Sequence, residues 1–238
     1  MAREVARETL VFAAEQLPDL PVVAIIRPVN EPSLRVAERS GFVRARTITY
    51  EEVPAFLLYG PRVERVDRVD ARLRRELLEC WVDVTNEGGA VGFVSPVEAR
   101  DVAPTLDEAL DDMRSRGSVL VVLRTGDGLA GFGFIERAAN PLFAHWGKLV
   151  RLQVHPRHQG AGLGRLLVAG IHGVARDLGL EALRLTYREG LGLGTFYERC
   201  GYLEVGRVPG TIRVSPGDDR DEVIMLRSLE QLATARRS

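Results

Sequence analysis

Leu152–Leu167 reads L-Q-V-H-P-R-H-Q-G-A-G-L-G-R-L-L. A strand-like run ends at Val154, and Pro156 breaks its ladder because proline has no N–H to donate. Glycines follow at alternate positions: Gly160, Gly162 and Gly164. Apolar residues then recur at Leu163, Leu166, Leu167, Gly170, Ile171 and Val174, the spacing of a helix with one buried face. The first turn of such a helix has backbone N–H groups with no intrahelical partner, and its dipole adds partial positive charge. Glycines let an anion approach those amides without a Cβ in the way. The stretch reads as an anion cradle, with Gln159 and Arg165 as side-chain contributors and Arg157 as a further phosphate candidate.

Two familiar phosphate loops fit poorly. A Walker loop needs Gly-Lys followed by Ser or Thr, and the chain has Gly164-Arg165-Leu166. A dinucleotide fingerprint needs a βαβ unit opening at the glycines. Glu181 stands at about the right distance for its acidic residue, but a meander of strands precedes the loop.

Upstream of the loop, Val63–Val69 reads as a strand leading into a helix over Arg72–Asn86. Ser95–Arg100 reads as a loop. A second helix spans Thr105–Arg116, with Thr105 as N-cap, Glu108 as its capping-box partner and Gly117 as C-cap. Ser118–Arg124 and Leu129–Arg137 form a hairpin around Gly126-Asp127-Gly128, and Gly131 and Gly133 signal close backbone approach. Trp146–Val154 is a longer strand. Downstream come a helix over Gly162–Leu178, a strand Ala182–Tyr187, a short helix Gly194–Cys200, and strands Tyr202–Val208 and Glu222–Leu229. Pro209–Asp221 reads as a long polar loop between those two strands. Its Asp218, Asp219 and Asp221 are candidates to shape a site for a cationic amine, with a solvated charged loop as the blander reading. The order implies an α/β chain with a mixed α+β sheet flanked by helices.

The chain also repeats itself. Glu38-Arg39-Ser40-Gly41-Phe42 falls on Glu198-Arg199-Cys200-Gly201-Tyr202 at an offset of 160 residues. At that offset a helix over 2–17 falls on the helix after the glycine loop, and a strand over 21–27 falls on Ala182–Tyr187. A short helix over 33–40 and strands over 42–49 and 53–59 complete the first copy. It starts beyond the point where its own glycine loop would stand. Two domains are therefore expected: a truncated, non-catalytic half over 1–60 and a complete domain over 63–238.

Composition narrows the class. The 238 residues are 45% hydrophobic and 27% charged, with a net charge of −1 and no basic stripe, which argues against nucleic-acid binding. No apolar run reaches the ~20 residues of a membrane helix, and the N-terminus lacks signal-peptide character. Cys80 and Cys200 are far apart and lack metal-ligand spacing, so reduced thiols in a cytoplasmic protein are expected.

Residues 63–229 resemble the GNAT superfamily of N-acetyltransferases. The family's pyrophosphate motif, Gln/Arg-x-x-Gly-x-Gly/Ala, is matched by Gln159, Gly162 and Gly164, after Val154-His155-Pro156. A second family motif, Phe-Tyr-x-x-x-Gly-Phe/Tyr, is matched by Phe196 to Tyr202. The first copy resembles the C-terminal half of the same fold, but Ala37 stands where the second has Tyr197, so no catalysis is expected from it.

The resemblance implies a GNAT-like acyl-CoA N-acyltransferase fold with an N-terminal half-domain repeat, and acetyl-CoA as co-substrate with no metal. It also implies direct acetyl transfer to a primary amine of a small molecule or peptide within a ternary complex. Leu152, Gln153, Val154, Gln159, Gly160, Ala161, Gly162, Leu163, Gly164 and Arg165 are the implied cofactor-binding residues. The strand Leu152–Val154 is expected to splay from Ala182–Tyr187, with the Val154 N–H as an oxyanion donor. Tyr197 is the implied general acid, and Glu136, then His145, are candidates for the general base. His155 and His158 read as structural or phosphate-proximal, and His172 as a surface or half-buried residue. The alternatives are an acyl-CoA-binding or regulatory module without catalysis and, more weakly, a dinucleotide enzyme. No nucleic-acid or membrane partner is expected, and a homodimer is left open.

Overall fold

The computed structural model describes residues 2–17, 20–115 and 117–229. The chain runs α1 (Ala2–Gln16), β1 (Val23–Ile26), α2 (Glu31–Arg39), β2 (Val43–Tyr50), β3 (Val53–Tyr59) and β4 (Arg62–Val66). It continues through α3 (Ala71–Asn86), α4 (Ala99–Ser115), β5 (Val119–Thr125), β6 (Gly128–Arg137) and β7 (Trp146–Val154). The last elements are α5 (Leu163–Asp177), β8 (Ala182–Arg188), α6 (Leu193–Arg199), β9 (Leu203–Ser215) and β10 (Asp218–Ser228).

Strands β4 to β10 form a seven-stranded mixed sheet in the order β4-β5-β6-β7-β8-β10-β9. Only β7 and β8 pair in parallel, and their pairing covers just Trp146–Lys148 against Ala182–Arg184. Beyond Lys148 the two strands diverge, as expected, and a gap opens in the middle of the sheet. Helices α3 and α4 cover one face, packing Leu77, Trp81, Leu106 and Leu110 on Leu120, Val122, Phe132 and Phe134. Helix α5 covers the other face on Val121, Leu123, Ile135 and Leu183. Gly131 is required where β6 crosses β7, since a Cβ there would lie 2.6 Å from the Gln153 carbonyl oxygen.

The first copy forms its own three-stranded sheet, β1-β3-β2. This is the order of β8-β10-β9, with each strand, helix and hairpin in the same succession. The ends of α2 and α6 share one hydrogen-bond pattern. Phe42 N–H donates to the Ala37 carbonyl and Tyr202 N–H to the Tyr197 carbonyl, each at 3.0 Å. Gly41 and Gly201 sit at φ +84° and +85°, the left-handed conformation that ends a helix at glycine.

Helix α1 lies parallel to α5, with Glu8 beside Arg165 and Glu15 beside Arg176. Leu10, Phe42 and Leu58 join the same apolar core as Leu163, Leu167 and Ile171. The one-faced apolar pattern of α5 is therefore misleading. Leu163 and every residue from Leu166 to Ala175 are buried, because α1 covers the face opposite the sheet. At about 1.5–3 kcal/mol for each large side chain removed from water, this double burial makes α5 the centre of the molecule.

Three expectations change. Helix α4 begins at Ala99, not Thr105. Pro104 removes one N–H donor but leaves the helix intact, and the Asp101 carboxylate accepts the Glu98 N–H at 2.8 Å, outside the expected Thr105 cap. The polar segment Pro209–Asp221 is not a loop. It continues β9 and β10 as a long hairpin that turns at Pro216-Gly217. His172 is 1% exposed, with Nε2 3.2 Å from the Tyr202 hydroxyl.

Candidate active site

The gap between β7 and β8 opens into a cavity of about 1340 Å³. Lys148 to Val154 of β7 form one wall, and Thr186–Arg188 with Leu191–Leu193 and Thr195–Tyr197 form the other. Residues 87–94, after α3, close one end, and the glycine loop with Arg7 and Val11 of α1 closes the other.

At the loop end, Gly160 and Gly162 have φ +71° and +87°, and Gly162 is the N-cap of α5 with no side chain capping the helix. Leu166 N–H bonds back to the Gly162 carbonyl, so the N–H groups of Leu163, Gly164 and Arg165 form the open first turn. A short 3-10 turn over Pro156–His158 brings the chain round, and the Gln159 side-chain amide donates to the Val154 carbonyl at 2.9 Å. The site therefore has the donor set and the space that a diphosphate needs.

Along β7, His155 N–H donates to the Ala130 carbonyl at 2.9 Å. Successive residues of an antiparallel strand address opposite edges, so the N–H and carbonyl of Val154 face the gap. The bond from Gln159 to the Val154 carbonyl agrees with that orientation. Arg151 has φ +53°, and the β6–β7 register slips between Phe132 and Phe134, so β7 is bulged at mid-length. The bulge sends the Arg151 guanidinium to Glu136 at 2.9 Å and within 6.0 Å of the Trp81 ring. Lys148 Nζ stands 4.0 Å from the other Glu136 oxygen. Gln153 is 3% exposed, and its Oε1 has no partner among the described residues.

Tyr197, from α6, is 7% exposed and lines the cavity. Its ring lies 5.1 Å from Phe196, 5.7 Å from Tyr187 and 5.9 Å from Tyr202, centroid to centroid. Burial, with Cys200 and Tyr187 adding to it, holds its phenol above the ordinary range, so it keeps its proton at neutral pH.

Most of the site residues expected from sequence come together here. Leu152, Gln153, Val154, Gln159, Gly160, Gly162, Gly164, Arg165, Glu136 and Tyr197 all line the cavity. The Ala161 and Leu163 side chains turn away from it, toward a smaller cavity beside Gly41 and Phe42. Arg157 also lines that second cavity, where it donates to His158 at 3.1 Å, so it is not a phosphate ligand in the cleft. His155 is held by Asp83 at 3.0 Å. His145 meets Trp146 edge to face outside the cavity lining and is not placed to serve as base. The acidic trio is not an acceptor site either. Asp219 pairs with Arg213 at 2.7 Å, Asp218 with Arg220, and Asp221 with Arg207 and the Gly210 N–H. Sequence reading missed Arg151, whose role comes from the bulge, and Arg7, whose approach is long-range.

A mixed sheet split between two central parallel strands, with a glycine-capped helix at the split, defines the acyl-CoA N-acyltransferase class. Residues 116–204 match the family model described as Acetyltransferase (GNAT) domain. Residues 116–204 thus carry the sequence features of a GNAT acetyltransferase domain. Solved structures agree in fold. The ribosomal-protein-S18-alanine N-acetyltransferase from Escherichia coli aligns at 16% identity and TM-score 0.53, over 75% of this chain and 99% of that one. An N-acetyltransferase from Staphylococcus aureus Mu50 aligns at 11% identity and TM-score 0.59, over 72% and 99%. An aminoglycoside 6′-N-acetyltransferase complexed with coenzyme A aligns at 16% identity and TM-score 0.55, over 71% and 97%. Among the described residues, no helix is long and apolar enough to cross a membrane, and no group of three or more His, Cys, Asp or Glu is placed to hold a metal ion.

Proposed function

We propose that the cleft transfers an acetyl group from acetyl-CoA to a primary amine of a small molecule or peptide, by direct attack within a ternary complex. One observation carries this reading: the gap between β7 and β8 ends at the uncapped, glycine-flanked start of α5 and has the Tyr197 side chain in its wall. The coenzyme A complex of the aminoglycoside 6′-N-acetyltransferase supports the choice of donor.

In this reading the N–H groups of Leu163, Gly164 and Arg165 bind the diphosphate, with Gly160, Ala161 and Gly162 shaping the approach. Leu152, Gln153 and Val154 present the β7 edge to the pantetheine arm, and the Val154 N–H polarises the thioester carbonyl. Holding amine and thioester together in the gap supplies most of the acceleration. Tyr197 protonates the departing thiolate. Its raised pKa makes it a weak but fully protonated acid, which suits a proton moved as charge builds on sulfur. Glu136 acts as general base, taking the proton that the amine loses as the C–N bond forms and the C–S bond breaks.

We further propose that residues 1–60 are a non-catalytic repeat of the GNAT C-terminal half. The matching order of β1-β3-β2 and β8-β10-β9, and Ala37 at the position of Tyr197, support this.

A second reading, a cofactor-binding module without catalysis, is favoured by the engagement of Glu136 with Arg151 and Lys148. A thiol-release assay with acetyl-CoA and a panel of amines separates the two. Release of CoA with at least one amine supports the enzyme, and binding without release across the panel supports the module. Cys80 and Cys200 add little background, since both are buried and their thiols are pushed up to about 12 and about 11 by burial.

A further inference from the structure

Arg7 belongs to α1, outside the domain that forms the cleft, yet its guanidinium lies against the glycine loop. Its Nη2 donates to the Gly160 carbonyl at 2.9 Å. Its Nε stands 2.9 Å from the point a Cβ on Gly162 would occupy, so glycine there makes room for this side chain. That Nε is buried and has no hydrogen-bond partner. Arg7 lines the main cavity together with Gln159, Gly162 and Arg165.

The charges around it are unbalanced. Glu8, the next residue on α1, is taken by Arg165 through two contacts of 2.5 and 3.2 Å. No carboxylate among the described residues pairs with Arg7. Burial first, then the charges of Arg3 and Arg165, hold its pKa below the usual guanidinium value. Helices α1 and α5 run parallel, and the open N-terminus of α5 points toward this end of the cleft, where its dipole adds to that field.

We propose that Arg7 is a phosphate-binding residue for the acyl donor, supplied by the N-terminal half to the phosphate end of coenzyme A. The inference rests on the acetyl-CoA reading above and extends it. Arg7 has a planar fork of donors with one satisfied by Gly160, which leaves N–H groups for a phosphate oxygen. The N-terminal half, with Ala37 at the position of Tyr197, thereby has a role in binding.

The test is calorimetry of coenzyme A and of dephospho-coenzyme A on the full chain and on Arg7→Met, which keeps the stem packed on Gly162 but removes the donors and the charge. Melting temperatures of both proteins are measured alongside. The expected result is wild-type binding of coenzyme A, and a Kd about tenfold weaker in Arg7→Met, the size expected for a lost charge-assisted hydrogen bond. The salt dependence of that Kd should also become shallower, a change that a purely structural defect would not produce. An equal loss with dephospho-coenzyme A assigns Arg7 to the diphosphate, and a loss confined to coenzyme A assigns it to the 3′-phosphate. Arg7→Lys should recover part of the loss. Unchanged affinity and salt dependence in Arg7→Met overturn the proposal while leaving the acetyl-CoA reading intact. Absence of binding by the wild type overturns both.

Discussion

The side-chain amide of Gln159 donates to the main-chain carbonyl of Val154 at 2.9 Å, so the glycine loop is tied to the last residue of the strand that precedes it. The bond fixes where the first turn of α5 stands relative to the open edge of β7. It also occupies a carbonyl that faces the gap, so Gln159 shapes the loop.

Removing that tie should loosen the cradle without dismantling it. Gln159→Ala should weaken coenzyme A binding by about fivefold, the equivalent of a hydrogen bond worth about 1 kcal/mol, with a melting temperature close to wild type. Calorimetry and a thermal melt check both. A variant that binds as tightly as wild type would show that the loop holds its shape without the tie.

Tyr197→Phe keeps the ring packed against Phe196, Tyr187 and Tyr202 and removes only the acidic proton. The expected effect is a loss of about a hundredfold in kcat with little change in KM for acetyl-CoA. Because burial raises the phenol pKa, wild-type kcat should show no alkaline decline near pH 10 from this group. A decline there that disappears in Tyr197→Phe would mean that the phenol ionises as it does in water.

Stability should fall on the acid side because of His172. Burial, then Arg227 and Arg176, hold its pKa well below 6.5 in the folded chain. Above pH 6.5 the group is neutral in both states and has no linkage effect. As pH falls below 6.5 the unfolded chain takes up a proton that the folded chain refuses, so stability drops, by up to about 1.4 kcal/mol per pH unit from this one group. His158, also depressed, adds to the same slope. Urea denaturation between pH 5 and 7.5 should show a shallower slope in His172→Gln than in wild type, and equal slopes would remove His172 as the cause.

The first sixty residues should unfold with the rest. Leu10 is 3% exposed and shares a core with Leu167 and Ile171, and the Glu15 carboxylate holds both Arg176 at 2.6 Å and Arg227 at 2.9 Å. Leu10→Ala should cost about 2–5 kcal/mol in a single cooperative transition. Limited proteolysis of wild type should leave this half attached. Rapid loss of residues 1–60, with the remainder melting unchanged, would contradict the packing.

These residues also show which parts of the structure were legible in the chain. The strand, proline and glycines from Trp146 to Gly164 declared themselves because their conformational demands are local. So did the repeat, whose Gly41 and Gly201 end matching helices. The start of α4 was obscured because Pro104 reads as a breaker, although a helix tolerates a missing donor near its first turns. The β9–β10 hairpin was obscured because alternating Arg–Asp pairs across an exposed ladder have the composition of a loop. Arg7, Arg151 and the burial of His172 lay beyond local reading altogether. The first depends on α1 docking parallel to α5, the second on a bulge in β7, and the third on Tyr202, thirty residues on, packing against the ring.

The claim beneath all of this is that the main-chain N–H groups opening α5 take hold of the donor's diphosphate. Backbone amide chemical shifts followed by NMR during a coenzyme A titration test it most directly. The predicted result is saturable shifts that are largest at Leu163, Gly164 and Arg165. Saturable binding that leaves those three amides unmoved while others shift would contradict it.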